Sequence, residues 1–273
     1  MKIAHLSDLH ITQTPVEIGA FFDRRISGAL NLTLLGRGAK YARAAEVGAK
    51  AVQQIIEAKP DMVVFGGDAT SLAEPSEFEG AVRVLAPLLD LGVPCIALPG
   101  NHDRYTVRAE RSRRFEEAFA DWQQPLDGWE TITHQGYTVH FLDTVRANRG
   151  IWDSRGRRIE PPMASPRLVF AHYALLDRNA QGDTKWHALR GEAALRQRFK
   201  DGTGTTWCCG HLHHSFSARS GALVQFCAGS VGGPSGAWQM IHVDDEQIRR
   251  EAWNTDGSRG MSRMRALEPI KVT

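Results

Sequence analysis

Five places in this 273-residue chain present side chains able to bind metal ions or move protons, each directly after a short apolar run. They are Asp8-Leu9-His10, Gly67-Asp68, Gly100-Asn101-His102-Asp103, His172 after Leu168-Val169-Phe170-Ala171, and Gly210-His211-Leu212-His213. Together they offer imidazole nitrogens, carboxylates and an amide oxygen, a donor mixture that suits first-row ions such as Mn²⁺, Fe²⁺/Fe³⁺, Zn²⁺ or Co²⁺ better than Ca²⁺ or Mg²⁺. In Asp8-x-His10 and His211-x-His213 the partners are two residues apart, so in extended or tightly turned backbone both side chains can project to the same side. One segment can thus hold one ion or divide its ligands between two. Glycines 67, 100 and 210 let the backbone turn sharply beside a bound ion or phosphate. Each element alone is weak, because a lone histidine beside an apolar run is more often a satisfied core residue than a ligand. His5, His134, His140, His187, His214 and His242 are read in that ordinary way. The signal lies in all five elements occurring together, each at the end of an apolar run.

The elements that must position these residues are short β-branched runs alternating with helical patterns, the grammar of an α/β fold whose strand ends gather in one crevice. The first strand is Lys2 to Ser7, and a helix follows from about Lys40 to Ala58 before Pro60 stops it. Met62 to Phe65 is continuously apolar, as expected of a strand covered on both faces. Ser76 with Glu79 three residues on suggests a capping box opening a helix to Leu91, closed by Gly92. Cys95 to Leu98 is the next strand. A charged helix is expected near Ala109 to Ala120, a hairpin over Glu130 to Asp143 turning at Gln135-Gly136, and a helix at about Trp186 to Phe199. Further strands are expected at Arg167 to Ala171, Thr205 to Cys209, Ala222 to Cys227, Trp238 to Val243 and Ile248 to Trp253. These form a single domain over residues 1–254, with 255–273 a loop-like tail.

Composition narrows the function class. The formal net charge is +2 and charged residues are 23%, too balanced for a nucleic-acid coat or a polybasic membrane tail. Arginines nevertheless cluster at 104, 108, 111, 113 and 114 and at 146, 149, 155, 157 and 158, either a solvated face or a field that attracts an anionic substrate. Residues 18–38 mix Phe21, Phe22, Ile26, Leu30 and Leu34 with Arg24, Arg25 and Arg37. They read as a long connection packed on its own domain, or as a cap insert that could touch lipid peripherally. Cys95, Cys208, Cys209 and Cys227 lack CxxC spacing and fit buried free thiols in a reducing compartment. No apolar run reaches transmembrane length. Removal of a signal peptide would discard Asp8 and His10, so the expected location is cytoplasmic.

The ordered set Asp8-x-His10, Gly67-Asp68, Gly100-Asn101-His102-Asp103, His172 and Gly210-His211-x-His213 resembles the calcineurin-like metallophosphoesterase superfamily, over residues 6 to about 215. That resemblance implies a four-layer α-β-β-α sandwich of two mixed sheets. It implies that Asp8, His10 and His213 bind one metal, that Asn101, His172 and His211 bind a second, and that Asp68 bridges them. It also implies that His102 serves the leaving oxygen as a proton donor, with Asp103 orienting it, while a water bridging the two first-row ions attacks phosphorus. Ala171-His172-Tyr173-Ala174 departs from the common His-Pro or Gly-His setting. The motif forms are most similar to the bacterial cyclic-nucleotide phosphodiesterases, which implies a small-molecule nucleotide-type phosphodiester substrate. The rival is a lipid-linked phosphodiester or nucleotide-sugar-lipid pyrophosphate, and a third reading is a non-catalytic binding scaffold of the same fold.

Overall fold

The computed structural model describes residues 1–12, 37–125, 128–147, 155–162, 164–182, 187–256 and 259–260. The cap insert expected at 18–38 lies outside these residues apart from its last two, and the tail at 255–273 apart from 255–256 and 259–260.

Two six-stranded sheets carry the chain. The first has the order β12 (Arg259–Gly260), β11 (Ile248–Trp253), β10 (Trp238–Val243), β1 (Lys2–Leu6), β2 (Met62–Phe65), β3 (Cys95–Ala97). The second runs β4 (Trp129–His134), β5 (Tyr137–Leu142), β6 (Leu168–Ala171), β7 (Thr205–Cys209), β9 (Leu223–Ala228), β8 (Ser215–Ser220). Both are mixed: β1, β2 and β3 are parallel, as are β5, β6, β7 and β9, while β10, β4 and β8 pair antiparallel.

Period-two alternation assigns the side chains of the central strands to two different buried layers. In β2, Met62 and Val64 enter the layer between the sheets, whereas Val63 and Phe65 face the helices. The inter-sheet layer joins Ile3, Val64 and Ile241 from the first sheet to Phe141, Phe170 and Phe226 from the second. A second layer packs the first sheet against helices α2 (Ala44–Ala58) and α3 (Pro75–Leu85). A third packs the other sheet against α6 (Glu192–Lys200). Three apolar interfaces separate four layers, so the α-β-β-α sandwich is the architecture of this chain.

Several local details differ from the expectations. The helix expected from Lys40 is two pieces, α1 (Arg37–Tyr41) and α2, with Ala42 and Arg43 between them. The capping box of α3 uses Glu74 and Glu77: Glu77 Oε2 accepts from Glu74 N at 3.1 Å, and Pro75 takes the first helical position, leaving Ser76 inside. Beyond Leu85 the helix tightens to 3₁₀ over Ala86–Leu91, because Pro87 has no N–H to extend the α ladder. The charged helix divides into α4 (Val107–Arg111) and α5 (Arg114–Ala118) at Arg113, whose φ is 50°. The helix expected from Trp186 begins only at Glu192, after Gly191 at φ 76°. Strand β8 was not expected, since its polar sequence SFSARS suits an edge strand and lacks an apolar run.

All four cysteines are buried and unpaired by disulfides. Burial pushes the Cys95 thiol up to about 11 and those of Cys208 and Cys209 further still. The thiolate is the nucleophilic form, so these groups are unreactive while folded. An aromatic disulfide reagent at neutral pH should therefore label the native protein far more slowly than the unfolded chain; rapid stoichiometric labelling without denaturant would contradict this packing.

Candidate metal centre

Parallel strands deliver their carboxyl ends to one edge of the sandwich, so the loops after β1, β2, β3, β6 and β7 meet there. Loop 8–11 is bonded alongside loop 67–70: Asp8 N donates to Gly67 O (2.8 Å), His10 N to Asp68 O (3.0 Å) and Ile11 N to Ala69 O (2.9 Å). The backbone turns so sharply that Asp8, His10, Asp68, His211 and His213 all have φ between 53° and 66°. Aspartate and histidine enter this left-handed region more readily than most residues, but each still costs on the order of 1–3 kcal/mol.

These turns bring together all seven side chains expected to be ligands, in two lobes that share Asp68. In the first lobe, His213 Nε2 lies 2.9 Å from His10 Nε2 and 3.1 Å from Asp8 Oδ1. His10 Nε2 lies 3.7 Å from Asp8 Oδ1 and 3.6 Å from Asp68 Oδ2. One ligand atom from each of Asp8, His10, Asp68 and His213 falls within 4.8 Å of all the others. In the second lobe, Asn101 Oδ1 lies 3.1 Å from His172 Nε2 and 3.0 Å from His211 Nδ1, and His172 Nε2 is 3.5 Å from Asp68 Oδ2.

Hydrogen bonds aim the rings. His10 Nδ1 bonds to Thr70 O (3.2 Å) and His172 Nδ1 to Gly66 O (2.8 Å). A carbonyl can only accept, so both rings carry a proton on Nδ1 and turn Nε2 toward the lobes. The first lobe therefore collects inward imidazole nitrogens and carboxylate oxygens, and among the described residues no well-aligned donor reaches the buried Asp8 Oδ1. Such a set is satisfied by a cation, and the residues fit one. Burial alone would raise both carboxyls, yet His10 and His213 beside Asp8, and His172 and His102 beside Asp68, hold them well below the usual carboxylate range. Against its burial, His172 is lifted to about 9 by Asp68, while burial and the neighbouring His172 push His211 down to about 3.

His102 stands at the rim, half-buried, its ring 5.0 Å from that of His10 and stacked on Tyr105 at 5.3 Å. Its Nδ1 bonds to Ser71 O at 2.7 Å. Asp103 is placed differently from the orienting role expected of it. Its carboxylate accepts from Gly100 N (2.8 Å) and from Thr70 N (3.1 Å), tying two ligand loops together, and Ser71 sets the His102 ring. Burial and the Asp68 charge raise the Asp103 carboxyl to about 7.

The arginine clusters divide by function. Arg104 is buried and joins Asp143 (2.7 Å) and Glu116 (2.6 Å), with Arg157 adding a second contact to Asp143 at 3.2 Å. This knot fastens the Asn101–Arg104 loop of one sheet to the end of β5 in the other. Arg108, Arg111 and Arg113 are exposed, as a solvated face would be, and Arg149 lies outside the described residues. Sequence reading missed Asp143 as a partner, and it missed Tyr41, which is buried against His10 and His213. Asp143 ends a strand, like the five motifs; nothing in its sequence neighbourhood singles out Tyr41.

A Cβ at Gly100 would lie 2.1 Å from both Asp68 N and Asp68 Oδ1. Gly100→Ala should displace the shared carboxylate, weaken uptake of both ions and cut turnover by roughly 100-fold; metal titration and kinetics showing wild-type values would refute this geometry. Arg104→Ala leaves Asp143 and Glu116 short of a partner and should cost about 3 kcal/mol in denaturant unfolding.

The calcineurin-like phosphoesterase family model matches residues 1–215. The phosphodiesterase YaeI of Escherichia coli (strain K12) is 36% identical over 129 residues, covering 43% of this chain and 42% of that protein, so the match spans less than half of this curated relative. Among solved structures, a dimetal phosphatase from Danio rerio is similar over 95% of this chain and 96% of that one, with a TM-score of 0.59 at 12% identity, which speaks to fold alone. A family match over most of the chain, on a four-layer sandwich with converged ligand loops, shows that this protein belongs to the calcineurin-like phosphoesterase family.

Proposed function

We propose that this protein is a two-metal phosphodiesterase acting on a small nucleotide or cyclic-nucleotide type phosphodiester. The observation that carries the reading is the pair of ligand lobes sharing one carboxylate, with an imidazole standing at their rim. Asp8, His10 and His213 would hold one ion, Asn101, His172 and His211 the other, and Asp68 would serve both. The nitrogen and oxygen donors favour manganese, iron or zinc. Such ions, when bound, supply a water of lowered pKa and neutralise charge on the phosphoryl oxygens.

The remaining work falls to the chain's own groups. His102 Nδ1 bonds to Ser71 O, and Nε2 is the atom that would carry a proton to the leaving oxygen. Tyr105 under the ring and the His102 N to Asp68 Oδ1 bond at 2.7 Å fix where that atom stands. The relative named as a phosphodiesterase supports a diester substrate. Free buried thiols support a reducing, cytoplasmic setting, and no helix among the described residues is long and apolar enough to cross a membrane.

Two measurements test this reading. Metal analysis after Mn²⁺ loading should give two ions per chain, and a chelator should abolish hydrolysis of bis(p-nitrophenyl) phosphate, with Mn²⁺ restoring it. Ions without hydrolysis of any ester would point to a binding scaffold, and activity confined to amphiphilic nucleotide-lipids would point to the lipid-linked substrate. His102→Ala should slow diesters with poor leaving groups roughly 10²–10⁴-fold and good ones far less; a uniform loss across the series would remove the proton-donor role.

A further inference from the structure

His10 and His172 are aimed by main-chain carbonyls, but His213 is aimed by a side chain from outside the five motif loops. Tyr41 Oη lies 3.1 Å from His213 Nδ1, and Ser230 Oγ lies 3.4 Å from Tyr41 Oη and 2.7 Å from Asp8 O. Tyr41 is 2% exposed and Ser230 is 3% exposed. Tyr41 comes from α1, and Ser230 follows β9.

Protons can be assigned along this row. The Asp8 carbonyl only accepts, so the single Ser230 hydroxyl proton points to it. A His213 that binds an ion through Nε2 must carry its proton on Nδ1, and the Tyr41 oxygen at 3.1 Å is placed to accept it, with Ser230 Oγ against the phenol oxygen. The opposite tautomer would protonate Nε2 and block it as a ligand. The Tyr41 ring also packs on His10 at 4.6 Å, so one residue touches two members of the first lobe.

We infer that Tyr41 is a positioning residue for the first metal lobe, holding His213 in its ligand tautomer through a Tyr41–Ser230–Asp8 hydrogen-bond row. The inference rests on the two-metal reading above. It predicts that the phenol hydroxyl acts on one ion of the pair and not on the other.

The test is Tyr41→Phe in the full chain, which keeps the ring on His10 and removes the hydroxyl. Calorimetric titration with Mn²⁺ should show one of the two ions bound roughly 10- to 100-fold more weakly and the other unchanged, as expected on loss of an outer hydrogen bond to a ligand. The metal-free variant should melt close to wild type. In the zinc-loaded wild type, long-range ¹H–¹⁵N correlation should find His213 protonated on Nδ1. Ser230→Ala, which cuts the row one step further out, should weaken the same ion by a smaller factor, and it carries the test if Tyr41→Phe does not fold. Wild-type affinity for both ions in either variant, equal weakening of both ions, or an Nε2-protonated His213 would overturn the inference alone. A wild-type protein that binds no ion would overturn the two-metal reading, and this inference with it.

Discussion

The Asp68 carboxylate is the group on which both halves of the site depend. Its Oδ2 lies within 3.6 Å of a histidine from each lobe, and its Oδ1 accepts from His102 N. It is presented by a left-handed residue pressed against Gly100, so its position is set by main chain on both sides. Two buried carboxylates and four inward imidazoles are costly neighbours, since each gives up water and the two main-chain donors, His102 N and His211 N, replace only part of it. Five left-handed residues add to that cost, a sizeable sum against a net folding free energy of about 5–15 kcal/mol. Such an arrangement persists only where the surroundings over-determine it and a ligand gains from it.

The sandwich supplies that over-determination. Ligands arrive from both sheets, and bonds between the sheets run through the site itself: His172 Nδ1 to Gly66 O, and Val231 N to Ser7 O at 2.9 Å. The Arg104–Asp143 pair adds a buried charge link at the same edge. Farther in, the apolar layer contains one polar row. His5, pushed down to about 3 by burial, stays neutral and meets Gln239 at 2.8 Å, which in turn meets Arg250 on β11. Arg250 reaches across to Ser215 and to Cys227 O of the other sheet. A row of this kind has one register, so it opposes sliding of one sheet over the other. Packed apolar layers resist displacement as well, because any slip opens voids.

Ring orientation then turns a cluster of polar residues into a coordination site. A histidine with its proton on the wrong nitrogen is a donor where a ligand is needed, and fixed acceptors outside the ring prevent that. Three of the chain's four tyrosines pack on imidazoles of the centre: Tyr41 on His10, Tyr105 on His102 and Tyr173 on His211 at 4.4 Å. Each ring face covered this way is shielded from water, which strengthens the electrostatics inside and limits wobble of the ring.

The sequence by itself determined the fold class and the identity of the converging residues. Apolar runs ending on Asp8, Asp68, Asn101, His172 and His211 are local signals, because a strand buried on both faces must be apolar and its polar residues must wait for its end. It could not determine the supporting contacts. Tyr41 lies 172 residues from His213, and Arg104 lies 39 from Asp143, and no periodicity links such pairs. The role of Asp103 also depended on where the Thr70 loop passes beneath it. The helix start at Pro75 is a local matter instead, set by the proline and by Glu77 reaching back to Glu74 N. Which residue touches which is fixed only when two sheets close on one another, and that closure is a property of the packed chain as a whole.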